Sequence, residues 1–354
     1  MALTSEQQEL VDLVDKFFSS EIDDDYLRKR QENVVLSDPE LWGKILELGF
    51  FEYFSEANSE ENSVQLLGEI ARASGRVPLP EALSENLLSG PLLLTSLVQG
   101  ALKGDVKGFF GTDDFQGILD GRRTVAIVPP CYHEGLSVDE KGWLSGQLFG
   151  AHVRPDCCAF IVSVKESLYL AKLTSGVVPS AFYSSLDHLI PRSVYEVKEL
   201  PTLELASVLD WKDLHRYVIG AEMLGLAERA VRMTCEFVGE RKQFGVPVGC
   251  FQAVSHPLAE AYLKLSELEA LYSFLGGMLD RKDPQRKVLS RVFLSAALSR
   301  VPGIIEKCIQ LHGGIGFTWE YPLHLFLRRA KTYEALFVMA SEEHASICEL
   351  SLAL

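Results

Sequence analysis

Two stretches in the last third of the chain carry residue types suited to binding an anionic nucleotide. The first, ERKQFGVPVGCFQ, places Arg241, Lys242, Phe244 and Gln252 between two helical patterns. An arginine fork suits a pyrophosphate because it is planar and permanently charged, and an aromatic face with an amide can line a ring. The alternative interpretation is an ordinary solvated corner between helices, in which Phe244 only makes a hydrophobic contact.

The second stretch, QLHGGIGF, places Gln310 ahead of Gly313, Gly314 and Gly316. Glycines at such a place permit positive φ angles and let a ligand come close to backbone N–H groups. A helix that ends in glycine is also ordinary capping, so this stretch alone is weak evidence for a site. The combination of both stretches is more specific than either one.

Together they resemble the C-terminal signature of the acyl-CoA dehydrogenase family. That pattern is Arg-x-x-Phe-Gly, then Phe-Gln, then Gln-x-x-Gly-Gly-x-Gly-Phe, found here at residues 241–245, 251–252 and 310–317. The similarity is strong over about residues 210–335. It implies an N-terminal helical domain, a central β domain and a C-terminal four-helix bundle. It also implies FAD as the cofactor, and oxidation of an acyl-CoA thioester to its 2-enoyl form.

The resemblance further implies cofactor contacts for six residues of this chain: Arg241, Phe244, Gln252, Gln310, Gly313 and Gly314. Arg241 would contact the pyrophosphate, Phe244 and Gln252 would line the dinucleotide, and the others would offer amide and backbone contacts. In the family these segments reach across a dimer interface to the FAD of the neighbouring subunit. The electron acceptor would be an electron-transfer flavoprotein or a similar protein.

The sequence departs from the family where the catalytic base is expected. The two positions that carry a glutamate in other members hold His215 and Phe337, whereas the arginine beside the first is retained as Arg216, a candidate acyl-CoA contact. His215 could itself act as a base with a pKa near neutral. Glu222, two helical turns after His215, is the first candidate for a relocated base, although in its apolar run it also fits a buried acid paired with an arginine.

Two further acids, Glu240 and Glu334, fit surface charges near helix ends better than a catalytic role. A second departure lies in the β region. There the family has donors for the flavin ring, and this chain has Val128, Pro129, Pro130 and Cys131. Because proline has no N–H, two donors are lost at that place.

The elements that position these residues follow from periodicity. Residues 1–118 show mostly helical spacing, residues 119–205 show short β-branched and aromatic runs bounded by turns, and residues 206–354 show four long helical patterns. We therefore predict an α+β fold with three domains at these boundaries. In the first segment, Asp38 and Pro39 have the types expected at a helix start.

Composition narrows the classes of partner. The net charge of −15 over 354 residues disfavours nucleic acid and anionic membranes, which require clustered basic residues. The first residues lack the pattern of a signal peptide, and we expect no apolar run of the roughly 18 residues that a membrane-spanning helix needs. Seven cysteines without a CxxC pair favour a reduced, cytoplasmic chain, and the histidines show no metal-ligand spacing.

These observations favour an acyl-CoA dehydrogenase subunit that lacks its own base and completes the FAD site of a catalytic partner in an α2β2 assembly. Heteromeric members of the family are associated with bulky acyl-CoA substrates, including steroid side chains. One alternative is a self-sufficient homo-oligomeric dehydrogenase that uses Glu222. Another is a structural paralogue without flavin.

Overall fold

The computed structural model describes residues 3–55, 64–88, 90, 106–129, 135–164, 167–174, 177, 179–183, 185–205, 211–318 and 321–337. The chain forms two compact units, one of residues 1–33, 63–79 and 216–354 and the other of residues 34–62 and 80–215. The units divide the helices of the first predicted segment between them. The boundaries 1–118, 119–205 and 206–354 therefore remain a proposal about domains.

The described residues contain helices, one large sheet and a separate two-stranded sheet, which is the predicted α+β class. The helices are α1 Ser5–Glu21, α2 Asp24–Glu32, α3 Pro39–Leu46, α4 Phe50–Ser55, α5 Val64–Gly75, α6 Val106–Phe110, α7 Thr112–Leu119, α8 Trp211–Glu240, α9 Gln252–Asp280, α10 Arg286–His312 and α11 Leu323–Phe337. The strands are β1 Thr124–Ile127, β2 Ser137–Val138, β3 Trp143–Ala151, β4 Cys157–Val164, β5 Ser167–Lys172, β6 Ala181–Tyr183, β7 Arg192–Leu205, β8 Lys242–Gln243 and β9 Val246–Pro247.

Local capping explains where several helices begin. Thr4 and Gln7 form a reciprocal capping box ahead of α1. Asp38 Oδ1 accepts hydrogen bonds from the backbone N–H groups of Glu40 and Leu41, each at 3.1 Å, and Pro39 occupies the first turn of α3. The predicted helix start at Asp38 and Pro39 is thus confirmed.

The four predicted C-terminal helices are present as α8 to α11, and α10 packs between α9 and α11. Residues Arg286–Phe317, α10 with the turn after it, are long and apolar enough to cross a membrane by composition. That corrects the expectation that no such run exists. The helix is this apolar because it packs in the core of the helical unit, where it buries Phe293, Ala297, Val301 and Ile305.

Helices α5 and α8 cross at unusually short range because glycine lies on both sides of the contact. A Cβ at Gly75 would collide with the carbonyl oxygen of Glu222, and a Cβ at Gly225 would collide with the carbonyl oxygen of Arg72. Only glycine leaves room for this backbone approach. The crossing fixes the turn of α8 that carries Glu222.

The large sheet has the order β1-β4-β5-β7-β3-β2, and β6 also pairs with β7. Only β1 and β4 run parallel, while the remaining pairs are antiparallel. Its core contains Leu148, Phe160 and Tyr195, with the rings of Phe160 and Tyr195 5.3 Å apart. These strands lie inside the stretch for which the sequence predicts β structure.

Two buried ion pairs tie the segment after Pro80 to this sheet. Arg154 pairs with Glu81 and stacks over the ring of Trp42, and Arg192 Nη2 donates to Glu85 Oε1 at 2.7 Å. All four charged side chains are buried, so each charge depends on its partner.

Candidate functional site

Arg241 directly follows α8 and leads into a tight hairpin rather than an irregular loop. Strand β8 pairs with β9, and the two residues between them, Phe244 and Gly245, have φ angles of 52° and 83°. Two successive positive φ angles are typical of a type I′ turn. Glycine suits the second position, whereas a phenylalanine at the first costs on the order of 1–3 kcal/mol.

The strained Phe244 projects into solvent at the tip of the hairpin. Its side chain is 93% exposed, and its ring meets the ring of Phe251 edge-on with centroids 6.2 Å apart. A large apolar side chain that is both exposed and conformationally costly indicates a role outside the core.

Gln252 is the first residue of α9 and is exposed. Phe251 occupies the N-cap position, and no side chain caps the helix there. The first-turn N–H groups of a helix carry a partial positive charge that favours anions. The hairpin tip, the Gln252 amide and the start of α9 therefore lie together through the contact of Phe244 with Phe251.

The glycine turn follows the end of α10. Gly313 has φ 67° and donates its N–H to the carbonyl oxygen of Gln310. Gly313 and Gly314 are exposed, and a Cβ at either position would have no heavy atom within 4 Å. Gly316 differs, since its Cβ would lie 2.7 Å from the carbonyl oxygen of Ile309. Two glycines thus leave open space for a ligand, and the third serves packing.

The side chain of Gln310 is also exposed, and its Oε1 accepts a hydrogen bond from Lys307 Nζ at 3.0 Å. Both groups lie on the last turns of α10, immediately before the glycines. An amide and an ammonium at this place add polar donors to the rim of the open turn.

Phe237 joins the two stretches. The Arg241 guanidinium carbon lies 5.7 Å from the centroid of the Phe237 ring, and the His312 ring stacks on Phe237 at 4.4 Å with an interplanar angle of 21°. Tyr321 completes the cluster, 4.7 Å from His312. The structure therefore brings the Arg241 hairpin and the glycine turn to one place.

Sequence reasoning missed Phe237, His312 and Tyr321 as members of the site. A signal for the first existed, because Phe237 lies one helical turn before Arg241 and an aromatic face at that spacing can support a guanidinium. His312 Nδ1 lies 2.8 Å from the Cys308 carbonyl oxygen, and burial lowers the pKa of the imidazole.

The two usual positions of the catalytic base contain no carboxylate. His215 is buried in the first turns of α8 with its ring stacked on Trp211 at 5.5 Å. Arg216 is half-buried beside it. Phe337 is the last residue of α11, with its ring 5.9 Å from that of Tyr333.

Glu222 is held inside the helical unit. Its Oε1 accepts from Arg329 Nη1 and its Oε2 from the Tyr333 hydroxyl, each at 2.9 Å. Arg329 also donates to the carbonyl oxygen of Leu79 at 2.9 Å. This is the buried acid paired with an arginine that the sequence offered as the structural interpretation of Glu222.

The other candidate acids lie at the surface. Glu240 is exposed at the end of α8, and Glu334 forms an ion pair with Lys331 at 3.0 Å. Among the described residues no group of three His, Cys, Asp or Glu side chains could hold a metal ion.

The end of β1 offers few hydrogen-bond donors. The N–H of Val128 donates to the Ile161 carbonyl oxygen at 3.0 Å, so it is already used within the sheet. Pro129 has no N–H. Pro130 and Cys131 lie outside the described residues. A ring that needs backbone donors therefore finds none at Val128 and Pro129.

Comparison with known proteins shows which family the C-terminal part of the chain matches. Residues 212–337 match the family described as acyl-CoA dehydrogenase, C-terminal domain. Acyl-CoA dehydrogenase IpdE2 of Mycolicibacterium smegmatis is 26% identical over 339 residues, which cover 92% of this chain and 93% of that protein. Residues 212–337 thus carry the C-terminal domain of the acyl-CoA dehydrogenase family, and the chain is similar to a member of that family over most of its length.

Other matches agree with this similarity. IpdE2 of Mycobacterium tuberculosis is 36% identical over 118 residues, so that alignment spans only 33% of this chain and 35% of that protein. Two solved structures share the fold. The Tcur3481-Tcur3483 steroid ACAD G363A variant has a TM-score of 0.82 and 21% identity, and the match covers 98% of both chains. The ChsE4-ChsE5 complex from Mycobacterium tuberculosis has a TM-score of 0.78 and 19% identity, and the match covers 98% of this chain and 97% of that one. The acyl-CoA dehydrogenase fold predicted from the sequence is confirmed.

Proposed function

We propose that this chain is a subunit of an FAD-dependent acyl-CoA dehydrogenase, and that it completes the FAD site of a catalytic partner subunit. The reaction introduces a 2,3 double bond into an acyl-CoA thioester. The observation that carries the proposal is a contrast within this chain between the nucleotide-binding segments and the positions of the catalytic base. The exposed hairpin and glycine turn are intact, while the two usual base positions hold His215 and Phe337 and the nearby Glu222 is tied to Arg329.

The residues of the site fit the nucleotide half of FAD. Arg241 would pair with the pyrophosphate, Phe244 and Gln252 would line the dinucleotide, and the open space at Gly313 and Gly314 would admit it to backbone N–H groups. Gln310 would add a side-chain amide. Bound FAD supplies the acceptor for the two electrons removed from the acyl chain.

A partner is required because removal of a proton next to the thioester needs a positioned base. In this proposal the partner contributes the carboxylate, the flavin-ring pocket and the acyl pocket of an α2β2 assembly. The ChsE4-ChsE5 complex, which joins two differently named proteins, supports a heteromeric arrangement by analogy. The same proposal includes a steroid or fatty acyl-CoA substrate, with Arg216 as an acyl-CoA contact. It also includes an electron-transfer flavoprotein or similar protein as the electron acceptor, and a cytoplasmic location.

The two alternatives fit the structure less well. Use of Glu222 as a base would require its carboxylate to leave Arg329, and an unpaired buried guanidinium costs several kcal/mol, about 3–5 in measured cases. A flavin-free paralogue would leave the strained, exposed Phe244 and the open glycines without a role.

The experiment is a flavin absorbance spectrum of the purified chain, alone and co-expressed with candidate partner chains of the same family. We expect a flavin band only in the complex, and its loss in Arg241→Ala. Lys198→Ala, an exposed charge on β7, serves as the matched control and keeps the band. A yellow, active chain without a partner would overturn the partner role, and a colourless complex would overturn the flavin role as well.

A further inference from the structure

His312 is a buried titratable residue that the proposed reaction does not use. It is the last residue of α10, is only 5% exposed, and immediately precedes the open turn of Gly313 and Gly314. Its ring lies against two aromatic rings, Phe237 at 4.4 Å and Tyr321 at 4.7 Å.

The hydrogen bonds of the ring define its tautomer. Nδ1 lies 2.8 Å from the carbonyl oxygen of Cys308, and because a carbonyl only accepts, Nδ1 carries the proton. Nε2 is buried and has no hydrogen-bond partner among the described residues. A proton on Nε2 would therefore be a buried donor without an acceptor, which is unfavourable. Burial lowers the pKa of His312 accordingly.

The position of His312 affects both halves of the nucleotide site. On one side its ring supports Phe237, whose ring lies 5.7 Å from the Arg241 guanidinium carbon. On the other side its backbone begins the turn in which the Gly313 N–H donates to the Gln310 carbonyl oxygen. The Cβ of His312 also packs close to Gly316, since a Cβ added at Gly316 would lie 3.0 Å from it. A change of the ring would move the guanidinium and the turn together.

We infer that His312, as a neutral imidazole with its proton on Nδ1, is a positioning residue that fixes Arg241 and the turn of Gly313 and Gly314 for the dinucleotide. The inference rests on the proposed function. It implies that FAD binding excludes protonation of His312 at Nε2. FAD affinity therefore falls as the pH drops through the pKa of His312 in the folded chain without FAD, which burial lowers from its ordinary value, since that state takes up a proton that the bound state excludes.

Other titratable and charged groups surround the cluster and are part of the pH argument. They lie on α8, on α10, on α2, directly after α8 and between α10 and α11. They are Arg229, Glu236, Glu240, Cys308, Asp24, Arg241 and Tyr321. Burial raises the pKa values of Asp24, Cys308 and Tyr321. The variant His312→Asn separates the response of the imidazole from that of these groups, because it leaves them in place.

The test uses the full-length chain in whichever assembly retains FAD. The FAD dissociation constant is measured from the fluorescence of released flavin for the wild type, His312→Phe and His312→Asn. Phenylalanine keeps the stacking and removes the Nδ1 donor, whereas asparagine keeps a donor near Nδ1 and does not titrate. His152→Phe is the matched control, because His152 is also buried with Nδ1 2.8 Å from a carbonyl oxygen, that of Pro191, in the other compact unit.

We expect His312→Phe to raise the FAD dissociation constant about tenfold, the equivalent of one lost buried hydrogen bond. His312→Asn should restore much of the affinity and remove the pH dependence, and His152→Phe should leave the constant unchanged. Nitrogen-15 NMR of the imidazoles should show His312 protonated at Nδ1 at neutral pH.

Equal FAD dissociation constants in the wild type and a folded His312→Phe would overturn the inference and leave the proposed function intact. If His312→Phe does not fold, the tautomer and the His312→Asn pH profile decide, and an Nε2–H tautomer or an unchanged pH profile overturns the inference. A wild-type assembly without FAD overturns both the proposed function and the inference.

Discussion

The carboxylate of Glu222 accepts a hydrogen bond from Arg329 at 2.9 Å, and both side chains are almost fully removed from solvent. Tyr333 binds the second carboxylate oxygen, so the pair joins α8 to α11. An acid held in this way has a structural role, and its contribution can be separated from catalysis.

Replacing one member of this pair should be strongly destabilising. We expect Glu222→Gln or Arg329→Met to lower the free energy of unfolding by about 3–5 kcal/mol, because a buried charge or polar group loses its partner. The double variant Glu222→Leu/Arg329→Met should recover much of that loss. Urea unfolding measures both. Equal stability of the single and double variants would contradict the pairing, and loss of activity with full stability in Glu222→Gln would return Glu222 to the role of base.

The hairpin turn allows stability and flavin retention to be separated. Asparagine adopts positive φ angles more readily than phenylalanine, so Phe244→Asn should stabilise the turn by up to about 1 kcal/mol while flavin retention falls. Thermal unfolding and the ratio of flavin to protein check the two effects. Phe274→Asn, at a 57% exposed position on α9, is the control for loss of an exposed ring and should retain flavin.

The glycine turn yields a matched pair of variants. Gly314→Ala meets open space, so the fold should be unchanged while the added methyl group impedes close approach of the dinucleotide. Gly316→Ala meets the Ile309 carbonyl oxygen at 2.7 Å, so we expect a loss of stability of about 1–3 kcal/mol. Calorimetry and FAD titration distinguish the two, and a destabilised Gly314→Ala with normal FAD affinity would contradict the assignment.

The sequence predicted the helical block and the strand region well, because helical spacing in α8 to α11 and alternation in the β region are local signals. It predicted a loop after Arg241, although Phe244 and Gly245 form a hairpin turn. Strands of two residues lie below the length at which alternation is visible, and Phe-Gly lacks the usual Asn-Gly type of signal.

Long-range packing limited the remaining predictions. That α5 packs against α8 through Gly75 and Gly225 cannot be read from local spacing, and neither can its grouping with the C-terminal helices. Within the site, Arg241 and Phe244 followed from type and resemblance. The stack of Phe237 on His312 did not, because the two residues lie on different helices and meet only through the tertiary fold.

The α5–α8 crossing itself carries a prediction. Gly225→Ala should destabilise the helical unit by several kcal/mol, about 3 or more, because the new Cβ meets the backbone carbonyl of Arg72 rather than a side chain that can move. Gly239→Ala, on the same helix with no neighbour within 4 Å, is the control and should be neutral or slightly stabilising. Chemical unfolding of both variants tests the crossing, and equal midpoints would contradict it.

Stability should also depend on pH through the buried His312 and the half-buried His324. Burial lowers the pKa of His312 and of His324. Below about pH 6.5 the unfolded chain therefore binds more protons than the folded chain, so the free energy of unfolding falls as the pH drops through that value and is constant with respect to these groups above it. Urea unfolding between about pH 7.5 and pH 5.5 measures the slope. His312→Asn should reduce it, because the unfolded variant has one fewer imidazole to protonate, and a slope unchanged by that substitution would assign the pH dependence to other groups.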